Sequence, residues 1–219
     1  MIELYSYYRS TTSYRVRIAL NFKELDYNII PVHLIKDGGE QHKTEYKSIN
    51  PQGSVPTLID NETTISQSMA IIEYLEEKYP SPALLPKDIE QRSYVRQISN
   101  IIACDIHPVN NLRILKYLTN ELEISENKKS EWYKHWINES FKSLEEIIKT
   151  SPFKTSKYCC GDQVSMADMC LIPQIYNAHR FNISMENYPI LAAIEDNCLS
   201  HPAFIKATPE NQPDAIEET

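Results

Sequence analysis

Strand-like segments stop before residue 70 of this chain, and almost everything after that point has helical periodicity. "IELYSYY" (Ile2 to Tyr8) is short and rich in β-branched and aromatic residues, which reads as a strand. Thr11 to Lys23 carries Val16, Ala19 and Leu20 at helical spacing, with Ile18 and Phe22 beside them, which predicts an amphipathic helix. "DYNIIPVHLI" reads as a second strand, with Pro31 marking a sheet edge. A further strand is expected from Val55 to Asp60, a hairpin turn at Asn61 and Glu62, a return strand from Thr63 to Ile65, and a helix from Gln67 to Lys78. In that helix Ala70, Ile71, Tyr74 and Leu75 are expected to face inward, and Glu73 and Glu77 outward.

The order β-α-β followed by β-β-α describes a thioredoxin-like α/β domain, with a right-handed crossover joining the parallel pair. "YPSPALLPKD" then places Pro80, Pro82 and Pro86 where strands cease, which predicts a linker over residues 81–86 between domains at 1–80 and 87–213. The second domain is expected to be all-α: Ile89 to Leu118 kinked at Pro108, then Asn127 to Lys149, Met166 to Arg180 and Pro189 to Leu199. The polar, acidic end, residues 214–219 with the stretch before it, is expected to fray.

Composition excludes several classes of function. A net charge of −8 without a Lys/Arg block argues against a nucleic-acid partner, because phosphate binding needs a basic stripe. No run approaches the roughly 18 apolar residues of a membrane span, and "MIELYSYYRS" has no charged leader followed by an apolar stretch, so a cytoplasmic location is expected. The five cysteines are scattered except for Cys159 and Cys160, which reads as reduced, buried thiols and not as a disulfide framework. The six histidines show neither HxxxH nor HExxH spacing, so no metal is expected.

Three motifs bear on chemistry. "RSTTSYRVRIAL" sets Ser10, Thr11, Thr12 and Ser13 at a helix start, where hydroxyls either cap the first turn or, with the positive end of the helix dipole behind them, hold an anion. "ISQSMA" repeats the pattern with Ser66, Gln67 and Ser68. "GSVPTL" puts Pro56 just before a strand, either as an ordinary strand start or, as is usual in a thioredoxin-like domain, as a cis-proline that turns the Val55 backbone toward an extended, peptide-like ligand. By contrast, "SMAD" (Ser165 to Asp168), flanked by Val164 and Met169, reads as a capping box with its hydrophobic staple, a folding device. Trp132 and Trp136, four apart, read as a packed helix face.

"YSYYRSTTSYRVRIAL", "LIKDGGEQ", "NPQGSVPTL", "QSMAIIEYLEE", "NLRIL" and "MADMCLIPQIYNAHRF" together resemble the zeta-class glutathione transferases over nearly the whole chain, about residues 2 to 213. The resemblance implies the glutathione transferase fold, glutathione as cofactor, a homodimer and a small dicarboxylate substrate. It implies that Ser10 and Thr11 donate to the glutathione sulfur and that Gln41, Val55, Gln67 and Ser68 hold the peptide, Gln67 and Ser68 at the γ-glutamyl carboxylate. From the helical domain it implies that His107, Asn111, Leu112 and Arg113 close the site, with Arg180 and Arg9 binding substrate carboxylates. Against the class signature Ser-Ser-Cys, this chain has Ser10, Thr11 and Thr12, so sulfur chemistry must come wholly from glutathione. His107 stands where relatives carry glutamine, which predicts a pH-dependent glutathione affinity.

The implied reaction is glutathione-dependent cis-trans isomerisation of 4-maleylacetoacetate to 4-fumarylacetoacetate in tyrosine and phenylalanine breakdown. A thiol of pKa about 8.5 is mostly protonated at neutral pH. A helix dipole worth roughly 0.3 to 2 kcal/mol and a charged hydrogen bond worth roughly 1.5 to 3 kcal/mol suffice to make the thiolate dominant. Two other readings use the same fold: glutathione transfer to small α-halo acids, which would consume glutathione, and a binding protein without catalysis. A glutaredoxin-like reductase is disfavoured by the absence of cysteine at the first helix start.

Overall fold

The computed structural model describes residues 1–153 and 157–218. They divide into two compact units: Met1–Leu84 with Leu199–Thr219, and Leu85–Cys198.

The first unit is built on a four-stranded sheet of order β2-β1-β3-β4, from β1 (Ile2–Ser6), β2 (Tyr27–Pro31), β3 (Thr57–Asp60) and β4 (Thr63–Ser66). β1 pairs parallel to β2 and antiparallel to β3, and β3 pairs antiparallel to β4. The register sets Leu4 beside Ile29 and Leu58, and Leu4 and Leu58 are fully buried. Pro31 ends the edge strand β2, where a missing amide breaks no interior ladder. The turn between β3 and β4 runs through Asn61 at φ 56°, a left-handed position that asparagine tolerates.

Several strands are shorter than expected. β1 stops at Ser6, because the Tyr7 carbonyl turns back to accept from Ser10 N at 2.9 Å. β3 begins at Thr57 and not at Val55, since the Val55–Pro56 peptide is cis and Pro56 has no amide to give a ladder. A short helix α2 (Thr44–Ile49), which the sequence pattern did not mark, precedes it.

Helix α1 (Thr11–Phe22) departs from the amphipathic expectation. Thr11 and every residue from Ser13 to Leu20 are buried, Arg15 and Arg17 included, because α3 (Ser68–Lys78) and α10 (Pro202–Ala207) both pack against it. The end of the chain therefore belongs to the first unit, not to an all-helical domain running to residue 213. Nor does residue 214 start a frayed tail. Pro209, Gln212 and Asp214 are buried, and Gln212 Nε2 donates to the carbonyls of Lys206 (3.0 Å) and Thr208 (2.7 Å). In α3 the buried residues are Ser68, Ile71, Ile72 and Leu75, and Ala70 is exposed.

The second unit holds α4 (Ile89–Asn100), α5 (His107–Val109), α6 (Leu112–Asn120), α7 (Glu126–Thr150), α8 (Met166–Arg180) and most of α9 (Pro189–Leu199). Its core gathers Ile98, Ile102, Ile106, Tyr133, Ile137, Phe141, Leu144, Met169 and Ile172. The single kinked helix expected from Ile89 to Leu118 is instead broken. Residues Ile101–Ile106 widen into a π-helix just before Pro108, whose ring displaces the carbonyl four residues earlier. Asn111 then caps a new helix by accepting from Arg113 N at 3.1 Å. Trp132 meets Trp136 edge to face at 5.7 Å and donates from Nε1 to Val109 O at 3.0 Å. At the capping box, Asp168 is fully buried and accepts from Ser165 N (2.8 Å), Ser165 Oγ (2.9 Å) and Cys159 N (2.8 Å). Burial raises its pKa above the usual carboxylate value, against the pull of those bonds. Cys159 and Cys160 are free and buried, and burial pushes the Cys159 thiol well above its ordinary range. No helix is long and apolar enough to cross a membrane among the described residues.

Candidate active site

Two helix starts and the Val55–Pro56 turn are brought together in the first unit. At the start of α1, Ser10 is the N-cap and its Oγ accepts from Ser13 N at 3.2 Å, so the capping reading of the hydroxyl cluster holds as far as it goes. A second set of bonds goes further. Thr12 Oγ1 donates to Val55 O at 3.0 Å and lies 2.9 Å from Ser10 Oγ. A carbonyl can only accept, so Thr12's single proton is committed to Val55, and Ser10 must donate to Thr12. The Ser10 proton can leave Thr12 for another acceptor by rotation about its own Cβ–Oγ bond, with no heavy-atom movement. Thr11 occupies the first helical position and is buried.

At the start of α3, Gln67 sits at φ 75° and ψ 116°, a conformation costly for a residue with a Cβ. No side chain caps this helix. Ser68, buried at the first helical position, accepts instead from Arg15 Nη1 of α1 at 3.3 Å, which sets a buried cation beside its hydroxyl. Gln67 is exposed and donates from Nε2 to Gln52 Oε1 at 2.6 Å. Positive helix end, buried guanidinium and strained backbone together favour an anion here. Sequence reasoning did not single out Arg15. Its signal was present as two arginines, Arg15 and Arg17, set among Tyr14, Val16 and Ile18 in a helix too apolar to leave them in water.

Gln41 is buried in the segment after β2, with Nε2 donating to Leu34 O at 3.3 Å and lying 3.1 Å from His42 Nε2. Its Oε1 is buried with no hydrogen-bond partner among the described residues, an acceptor open to a donor from a ligand. Gly39 is favoured beside it by a backbone at φ 108°, and a Cβ there would push the Gln41 side-chain amide, 2.5 Å away, out of place. Arg9, next to Ser10, is half-buried; its Nη2 donates to Tyr7 Oη at 3.1 Å and its guanidinium lies 5.1 Å from the Tyr8 ring centre.

The remaining expected site residues belong to the second unit. His107 and Asn111 are half-buried and joined by a 3.1 Å contact between His107 Nε2 and Asn111 Nδ2, Leu112 is half-buried and Arg113 exposed. Arg180 is exposed near the end of α8 and donates from Nη1 to Asn177 Oδ1 at 3.1 Å. Its charge acts on Tyr133, whose phenol is nevertheless raised well above its ordinary pKa by burial.

An anion-favouring helix start, a mobile hydroxyl proton and a cis-proline turn on one small sheet suit a peptide thiol. The comparisons agree: residues 4–83 match the family "Glutathione S-transferase, N-terminal domain" and residues 110–207 match "Glutathione S-transferase, C-terminal domain". The chain belongs to the glutathione S-transferase family. Within it, the chain is 49% identical over 212 residues to a probable maleylacetoacetate isomerase of Vibrio cholerae, covering 97% of each chain. It superposes with a TM-score of 0.94 and 42% identity on the holo structure of a maleylpyruvate isomerase described as a bacterial zeta-class glutathione S-transferase, covering 97% of this chain and 99% of that one. It also matches, at TM-score 0.93 and 34% identity with the same coverage, a maleylacetoacetate isomerase from Methylobacterium extorquens AM1 with bound malonate and glutathione.

Proposed function

We propose that this protein catalyses the glutathione-dependent cis-trans isomerisation of 4-maleylacetoacetate to 4-fumarylacetoacetate in tyrosine and phenylalanine breakdown. The observation that carries the reading is the hydroxyl chain from Ser10 through Thr12 to Val55 O, one rotation away from delivering the Ser10 proton to a sulfur. Glutathione, when bound, would supply a thiolate able to add to the cis double bond, leave a single bond free to rotate, and depart unchanged.

The chain's own residues do the rest. Ser10 donates to the sulfur and Thr11 supports it at the first turn of α1, where the helix dipole also favours the anion. A hydrogen bond to a charged acceptor is worth roughly 1.5 to 3 kcal/mol, enough to favour thiolate over thiol near neutral pH. The Val55 backbone and Gln41 hold the peptide, and Gln67 with Ser68 receives the γ-glutamyl carboxylate, backed by Arg15. Arg9 and Arg180 bind the substrate's carboxylates, where bidentate guanidinium geometry fixes the orientation. His107, Asn111, Leu112 and Arg113 complete the glutathione contacts from the helical unit. The protein acts as a cytoplasmic homodimer.

Conversion of maleylacetone, a stable analogue, tests this. It should proceed only with glutathione present and leave the glutathione concentration unchanged. Stoichiometric loss of glutathione on small α-halo acids without isomerisation would favour a transferase, and glutathione binding without either reaction a binding protein.

A further inference from the structure

The loop that carries Arg9 is held from behind by the end of the chain. Tyr8 N donates to Asp214 Oδ2 at 2.9 Å, a buried bond across 206 residues. Tyr8 O accepts from Arg17 Nη2 at 2.9 Å, and the same guanidinium donates to Ser6 Oγ (3.1 Å), Tyr7 O (3.4 Å) and, through Nε, Ala207 O (3.0 Å). Both backbone groups of Tyr8 are thus fixed by buried side chains, one of them contributed by the terminal segment. The Tyr8 ring meets Tyr7 edge to face at 4.9 Å, and these two rings are the surface on which Arg9 rests. Ala215, next to Asp214, packs on the cluster of Tyr7, Tyr8, Val32, Tyr46 and Val55.

We infer that Asp214 is a positioning residue for the substrate: by accepting from Tyr8 N it sets the Tyr7–Tyr8 platform that aims the Arg9 guanidinium at a substrate carboxylate. The inference rests on reading Arg9 as a substrate contact. It separates Arg9 from the γ-glutamyl end of the glutathione cradle, where Ser68 bonds Arg15 and Gln41 bonds the Leu34 carbonyl. Asp214 Oδ1 has no partner among those residues, so asparagine can keep the acceptor for Tyr8 N without breaking another bond.

The test compares the full-length protein with its Asp214→Ala and Asp214→Asn variants, each checked for folding by thermal denaturation. Three quantities are read: KM and kcat for maleylacetone, glutathione affinity by calorimetry, and the rate at which phenylglyoxal modifies Arg9, followed by peptide mass mapping. For Asp214→Ala the inference expects KM to rise about tenfold, kcat and glutathione affinity to stay within about twofold, and Arg9 to react faster. Asp214→Asn should behave as the parent. Unchanged KM and Arg9 reactivity in Asp214→Ala would overturn the inference, as would an equal loss in Asp214→Asn or a parallel loss of glutathione affinity. If the parent itself does not isomerise maleylacetone, the functional reading fails, while a selective change in Arg9 reactivity still upholds the brace.

Discussion

The starts of α8 and α3 each set a buried serine at a helix N-terminus, yet they are finished in opposite ways. At α8 the Asp168 carboxylate reaches back to Ser165 and sideways to Cys159, so the terminus is closed by the protein itself. At α3 no side chain caps the helix, and the fastening is moved to its other end. There Asp60 of β3 accepts from Tyr74 Oη (3.0 Å), Lys78 Nζ (2.6 Å) and Tyr79 Oη (3.0 Å). Glu76 bonds Lys23 Nζ and Leu84 N, each at 2.9 Å. The difference teaches that a helix can give up its own cap where an anionic ligand is to take that place, provided its far end is anchored. The start of α1 lies between these extremes, capped by Ser10 while leaving the Ser10 proton able to move.

The largest expected effect breaks the closed terminus. Asp168→Ala strands two buried amides and a hydroxyl, and unfolding should become easier by about 3 kcal/mol or more, seen as a lower midpoint in denaturant; unchanged stability would remove the contrast. Next, Ser10→Ala should cut isomerase turnover about 100-fold while glutathione still binds, as steady-state kinetics and calorimetry would show. Ser68→Ala sharpens the comparison directly: glutathione affinity should fall about tenfold with the thermal midpoint close to the parent's. Thr12→Val removes the acceptor that holds the Ser10 proton and the donor to Val55 O, for an expected change of about two- to tenfold in kcat/KM.

The smallest effect lies at the anchored end of α3. Burial tends to raise the Asp60 pKa, but the bonds from Lys78, Tyr74 and Tyr79 hold it below the ordinary value. A folded-state pKa below the unfolded one means stability that is present above the unfolded value of about 4 and lost as pH falls through the lower, folded value. Asp60→Asn should therefore melt below the parent at neutral pH, with the gap narrowing under strong acid, as melting curves across pH would record.

Much of this was legible in local pattern. The strand-helix order of the first eighty residues, the SMAD box and the serine-rich starts of α1 and α3 depend on near neighbours, so periodicity and capping chemistry reveal them. The burial of Arg15 was half-legible, since a charge between apolar helix residues marks a conflict whose resolution lies elsewhere in the chain. The distortion at Ile101–Ile106 was legible as a proline effect but not as a π-helix, because the choice between kink and widened turn depends on what the core accepts.

What the sequence by itself determined is most of the elements, the family and the chemistry of the donor groups, for these follow from side-chain type and spacing. Only the tertiary structure decided that Thr12 spends its proton on Val55 and that Arg15 backs Ser68. It alone showed that residues 199–218 return to the first unit to fix Tyr8 through Asp214. The physical reason is separation along the chain: these bonds join residues 43, 53 and 206 positions apart, so no window of local periodicity contains both partners.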